Sequence, residues 1–203
     1  MNFPIPDDGP PVRESGGSAE ELARAVRISL CGLDLGSAAS FVPASAATAE
    51  FDWQSWMVGP FADQLGDAFV QVYRAAGQMQ VIELMQIDRG LLGERSREAG
   101  ASLLARLEEA KNLRVVERMR TLLDGAVGPH FTTAFAVECA EFHLPLRAAL
   151  ISYLYGEWRC GMSAVGGRGG LDAFAQAGAG VTGRVVTEVL ARGAGPFEQA
   201  AGL

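Results

Sequence analysis

The chain has 203 residues, 49% of them hydrophobic and 20% charged, which is about one domain's length with enough apolar material for a packed core. Its formal net charge of -7 speaks against a nucleic-acid-binding surface, because displacing counterions from phosphates takes clustered positive charge. No apolar run reaches the roughly 18 residues of a membrane span, and the opening MNFPIPDDGP lacks the basic start and apolar stretch of a signal peptide. The expectation is a soluble, cytoplasmic protein. Cys31, Cys139 and Cys160 are an odd number at no paired spacing, so neither a disulfide framework nor a zinc knuckle is encoded and reduced thiols are expected.

Residues 1–17 hold four prolines and three glycines without apolar periodicity; they cannot bury enough surface to offset the entropy of ordering and read as a flexible arm. Residues 18–203 read as one all-helical domain. Ser18 and Glu21 have capping-box spacing, and Leu22, Val26 and Leu30 follow one helical face, which predicts a helix over 18–31. A Gly, Ala and Ser-rich linker with Pro43 spans 32–49. Pro60 is expected at a helix start, where its missing N–H costs nothing, and Phe61, Leu65, Phe69, Val72, Tyr73 and Ala76 continue the stripe until Gly77 ends it. Three further stripes follow: Val81, Leu84, Met85, Leu91 and Leu92; Leu103, Leu104 and Leu107; and Val115, Val116, Met119, Leu122 and Leu123, closed by Gly125. Pro129 is expected as the first residue of a helix carrying Phe131, Phe135, Cys139 and Phe142 on one face, and Pro145 opens the next, with Leu146, Leu150, Leu154 and Trp158. A last helix spans 171–191, although Gly178, Gly180 and Gly183 each cost roughly 1 kcal/mol within it. No strand emerges, so the fold class is all-α, a bundle of about eight or nine helices.

The chemistry-bearing residues are sparse. Sixteen arginines accompany a single lysine, Lys111, with no Gly-rich loop before it, so there is no P-loop. Gly161-Met162-Ser163-Ala164-Val165 lacks the closing glycine of a nucleophile elbow, and no serine hydrolase is indicated. Gly178-Ala179-Gly180-Val181-Thr182-Gly183 matches G-x-G-x-x-G, yet no apolar strand precedes it and no acidic residue follows at the required distance, so the glycines read as helix-packing positions. Cys139 and His143 stand four apart, a spacing that can present two ligands to a soft metal, but Cys139 shares its face with Phe131 and Phe135 and reads as a buried structural thiol. Glu108 with Glu109, and Arg114, Arg118 and Arg120, read as solvated helix faces. The sequence assigns no catalytic residue, no metal ligand and no cofactor.

An ordered series of segments nevertheless carries a likeness. Tyr73-Arg74-Ala75 closes a helix; Glu94-x-Ser96 is followed by Gly100 and Leu103-Leu104; Gly128-Pro129-His130 precedes Phe135; and Leu144-Pro145 precedes Tyr153-Leu154-Tyr155. With these segments, residues 61–190 resemble the urease accessory protein F family (UreF). Its YRA segment, E-x-S-x-x-x-G-x-x-L-L pattern, Gly-His helix start, Gly-Ile/Leu-Pro turn and Y-L-Y helix occur in the same order. Where the family has Arg-Leu followed by P-L-G-Q, this chain has Arg168-Gly169-Gly170-Leu171. Ser15-Gly16-Gly17 with Glu20 and Glu21 stands where the family has S-G-G-L-E, and the C-terminal H-E-x-x-x-S-R-L-F segment has no counterpart.

The resemblance implies an all-helical, non-enzymatic homodimer. Such a protein binds UreD (also called UreH) and the GTPase UreG and supports nickel insertion into the urease apoprotein. His130, Tyr153, Tyr155, Glu94, Ser96 and Arg168 are the partner-binding residues it suggests, and UreD binding is expected to be weakened without the C-terminal segment. Trp53, Trp56 and Trp158 are either partner contacts or, as large aromatics more commonly are, core. The alternative is a helical protein of the same fold that has lost the urease partners and binds a small ligand or regulates another system. His130 is the sharpest single expectation: in an opening helical turn the positive end of the dipole favours a neutral ring.

Overall fold

The computed structural model describes residues 52–78, 80–91, 93–109, 117, 120–121, 128–164, 171–178 and 180–193. The arm, the predicted helix over 18–31, the linker over 32–49, the stripe from Val115 to Leu123 and Arg168 lie outside the described residues. Within them the chain is all-α: seven helices and no strand.

Helix α1 runs without interruption through residues 53–77, as an α-turn Trp53–Trp56, a π-helical stretch Met57–Gly66 and an α-helix Asp67–Gly77. It begins upstream of the expected point. Asp52 is its N-cap: the carboxylate accepts from the Gln54 and Ser55 amides at 3.0 and 3.1 Å and from the Ser55 hydroxyl at 2.6 Å, satisfying amides that have no partner inside the helix. Pro60 therefore lies inside the helix rather than at its start. A proline there removes an N–H donor and crowds the carbonyl one turn back, and the wider π spacing is the form a helix takes around such an interruption. Gly77 ends α1 as expected.

Helices α2 (Val81–Gly90) and α3 (Glu94–Glu109) follow, then α4 (Phe131–Glu141), α5 (Leu146–Ala164), α6 (Leu171–Ala177) and α7 (Thr182–Arg192). The expected helix over 171–191 is two helices, not one. Gly178 ends the first: its carbonyl accepts from the Val181 and Thr182 amides at 2.9 and 3.0 Å. Gly180, with φ +72°, then turns the chain through a conformation that glycine adopts without a side-chain penalty.

Helix α4 is the axis of the packing. Every residue from Phe131 to Ala140 is buried, with α1 and α3 the principal neighbours and α5 a third. A helix covered on all sides has no polar face, so its sequence carries hydrophobic content without direction. Its rings continue into the neighbours: Phe131 stacks on Phe135 at 5.6 Å, and Tyr153 of α5 stacks on Phe69 of α1 at 4.8 Å, adding directional contact to the area buried. A second aromatic group joins Trp53, Trp56 and Trp158 to Tyr155 and Phe174. Trp56 and Trp158 are core residues and Trp53 packs against them.

Helix α7 closes over α1. Gly66 faces Val189 so closely that a Cβ would stand 3.2 Å from its methyls, and Arg192 reaches Asp63 at 2.6 Å, with Glu188 and Asp67 completing a surface ion-pair group. These exposed pairs orient the two helices; Val185, Val186 and Val189 supply the burial that holds them.

Candidate functional site

The N-terminus of α4 concentrates the buried polar groups of the described chain. His130 is the N-cap, with extended backbone, and α4 begins at Phe131, so Pro129 precedes the helix instead of opening it. The His130 side chain caps nothing. Asp88, near the end of α2, does so from another helix: its Oδ1 accepts the His130 amide at 2.9 Å and the Thr133 hydroxyl at 2.6 Å. Ser96 of α3 supplies a second acceptor, its Oγ taking the Phe131 amide at 3.2 Å. Amides at a helix start carry the positive end of the dipole, so a carboxylate and a hydroxyl are the chemistry they require.

Arg97 completes the group. Its Nη1 lies 3.5 Å from Asp88 Oδ2 and donates to the Gly128 carbonyl at 3.1 Å, so one guanidinium offsets the buried carboxylate and fixes the chain entering α4. Gly100 permits the approach, for a Cβ there would stand 2.0 Å from the Pro129 carbonyl oxygen. Ser96, Gly100 and Leu103 recur at helical spacing along the face of α3 that meets α4.

The His130 imidazole sits in this junction, 1% exposed, with no side-chain hydrogen-bond partner and with the Leu91 backbone beside it. Burial, the largest influence, holds its pKa below the ordinary histidine value; Asp88 opposes this, Arg97 reinforces it, and the Leu91 backbone opposes it. Burial thus favours the neutral ring that the sequence suggested, and desolvation is its largest cause.

Three of the other suggested residues are likewise interior. Ser96, Tyr153 and Tyr155 are buried; the Tyr153 hydroxyl is 2.7 Å from Thr132 Oγ1, and Tyr155 packs on Phe174 at 5.3 Å. Glu94 is the first residue of α3, and its side chain lies outside the described part, as does Arg168. A partner therefore cannot meet His130, Ser96, Tyr153 or Tyr155 across a free surface in this conformation. These residues shape the surface from beneath. The junction brings Ser96 and His130 together, Tyr153 meets the first turn of α4 beside it through Thr132 and Phe131, and Tyr155 packs elsewhere.

The ligand-like pairs separate. Cys139 is wholly buried in α4, with its thiol pushed well up by burial and by Glu138, which keeps it protonated and unsuited to metal. His143 lies beyond the helix, exposed, at φ +54°. Among the described residues no group of three or more His, Cys, Asp or Glu side chains can hold a metal ion, and no helix is long and apolar enough to cross a membrane. The G-x-G-x-x-G segment begins at the turn after α6 and runs into the first turn of α7, a helix–helix corner without the preceding strand that a dinucleotide site requires. Of the three arginines read as a solvated face, Arg120 is described, and it is exposed.

Sequence reasoning passed over Asp88, Arg97 and Thr133. The available signal was Asp88 four residues after Leu84, a carboxylate on an apolar stripe, which needs a partner when buried. It also set Phe142 on one helical face with Phe131, Phe135 and Cys139. Phe142 is 49% exposed at the end of α4, and Ile82 is 75% exposed on α2; with Val58 they are the exposed large hydrophobic residues of the described chain. Comparison with family models, with curated proteins and with solved structures finds no match to this chain.

Proposed function

We propose that this chain is a non-enzymatic scaffold of nickel-centre assembly, similar in role to UreF. In this reading it acts as a cytoplasmic homodimer that holds UreD (UreH) and UreG, leaves GTP hydrolysis to UreG, and supports nickel insertion into the urease apoprotein. The observation that carries the reading is that the segments of the resemblance are packed against one another. The Tyr73 hydroxyl donates to the Leu144 carbonyl at 2.6 Å, Ser96 and Gly100 receive the start of α4, and Tyr153 packs on Phe131, Phe135 and Phe69. Residues dispersed over the sequence thus form one structural unit, as a shared architecture requires. That unit is internal, so the contact surface belongs to exposed side chains, and Ile82 and Phe142 are the apolar ones large enough to anchor a partner.

Co-expression with UreD and UreG homologues of the same genome tests this. A co-purifying complex is expected, weakened by Ile82→Glu or Phe142→Glu with the circular dichroism spectrum and melting temperature unchanged. The purified chain alone is expected to hydrolyse neither GTP nor ATP. Absence of any complex at low salt overturns the scaffold reading in favour of the ligand-binding alternative.

A further inference from the structure

Helix α2 is attached differently from the rest of the described fold. It packs on the Asp67–Gly77 part of α1, yet its only fully buried residues are Leu84 and Asp88. Its ends are glycine-flanked: Gly77 stands before it, Gly90 has open space where a side chain would be, and Gly93 has φ +107°. A helix with one fully buried leucine, with Val81 and Ile87 only partly buried beside it and with glycines at both ends, belongs to the low-stability end of a structure. Its bond to α4 runs through the Asp88 carboxylate, which holds the His130 amide and the Thr133 hydroxyl while facing Arg97.

We propose that α2 is a hinged helix latched onto the start of α4 by Asp88, and that protonation of the His130 ring releases the latch. The charged groups acting on the ring are Asp88 from α2 and Arg97 from α3, while the first turn of α4 carries no acidic side chain to receive a second cation. Asp88 Oδ1 already accepts two hydrogen bonds and Oδ2 already faces Arg97. An imidazolium formed in the closed junction is away from water and beside a guanidinium, costs that Asp88 and the Leu91 backbone offset only in part, whereas swinging α2 outward hydrates it. The direction follows by linkage. A histidine whose pKa is depressed in the closed form takes up a proton on opening, so the closed form is fully favoured above the free histidine value of about 6.5 and loses ground as pH falls below it.

Hydrogen exchange resolved by segment, expressed as protection factors so that the intrinsic pH dependence cancels, tests the latch. Between about pH 7.5 and about pH 5.5 the α2 amides of the wild-type chain are expected to lose about five- to tenfold in protection, because pH 5.5 lies one unit below the free histidine value of about 6.5, while the Asp67–Gly77 amides hold theirs. His130→Gln, which cannot take up the proton, is expected to abolish the pH response, and Asp88→Asn to lower α2 protection at both pH values. Loss of protection in α1 and α2 together, or an unchanged pH response in His130→Gln, overturns the proposal. Should that variant fail to fold, the wild-type protein decides by the NMR titration of its two histidines: a His130 midpoint at or above that of exposed His143 overturns the latch.

Discussion

Helices α4 and α2 are almost the same length, 11 and 10 residues, and are held by opposite means. α4 is buried around its full circumference from Phe131 to Ala140, threonines and Glu138 included. α2 buries Leu84 and Asp88 and leaves Ile82, Glu83, Gln86 and Arg89 exposed. The first is retained by full burial; the second by Leu84, by Val81 and Ile87 partly buried against the core, and by an ionic junction, and of these only the junction depends on pH and salt. In one domain helices of nearly equal length can therefore differ widely in how far they are committed to the core.

The widest separation between the two helices is expected from truncation. Phe135→Ala removes a fully buried ring stacked on Phe131 and in contact with Phe69 and Tyr153, and should cost about 3–5 kcal/mol. Ile82→Ala, at an exposed position on α2, should stay within about 0.5 kcal/mol of wild type. Urea unfolding measures both, and comparable losses would erase the contrast.

Next in size is the contact that joins α3 to the start of α4. A Cβ at Gly100 would meet the Pro129 carbonyl oxygen at 2.0 Å and the His130 carbonyl carbon at 2.9 Å. Backbone atoms cannot step aside as a flexible side chain can, so Gly100→Ala should cost about 3 kcal/mol, at the upper end of ordinary overpacking. A neutral Gly100→Ala in the same urea series would mean that α3 does not sit on α4 as described.

Asp88→Ala should follow, at about 2 kcal/mol, because it leaves the His130 amide and the Thr133 hydroxyl without their acceptor and removes a helix cap. Thr133→Val deletes one of those bonds and keeps the shape, and should cost about 1 kcal/mol. A double-mutant cycle of the two then measures their coupling, and strict additivity would show that they do not share the bond.

What could be read beforehand was local. The 3.6-residue stripes, the glycine ending α1 and Pro145 before α5 act within a turn of themselves, and they led to the all-α class. Pro60 misled because a proline at a helix start and one inside a π-helical stretch look alike from the residues beside it; the Asp52 cap upstream distinguishes them. Phe142 misled because it continues the spacing of Phe131, Phe135 and Cys139 although α4 ends at Glu141. The junction was hidden by distance: Asp88 and His130 are 42 positions apart, and neither carries a local sign of the other. His130 was visible as a singular residue, but its burial, which determines its protonation, is a property of the three helices that surround it.

The smallest predicted effect is a gain, and it lies at the opposite end of α4 from the latch. The Leu144 amide donates to the Cys139 carbonyl at 3.0 Å and the His143 amide to the Ala140 carbonyl at 3.1 Å, the hydrogen-bond pattern of a Schellman cap. Such a cap places its central residue in the left-handed region, and His143 occupies it at φ +54°. Residues with a Cβ are disfavoured there by about 1–2 kcal/mol. The substitution His143→Gly therefore exchanges a strained conformation for a permitted one. The gain is partly offset because glycine has more freedom to lose on folding, about 0.5–1 kcal/mol. The net expectation is a stabilisation of about 0.5 kcal/mol, detected as a higher urea midpoint at unchanged slope. The exposed imidazole gives up little packing to oppose it. A destabilised His143→Gly would show that the histidine side chain makes an interaction worth more than the backbone relief, and would turn attention to His143 as a contact residue beside Phe142.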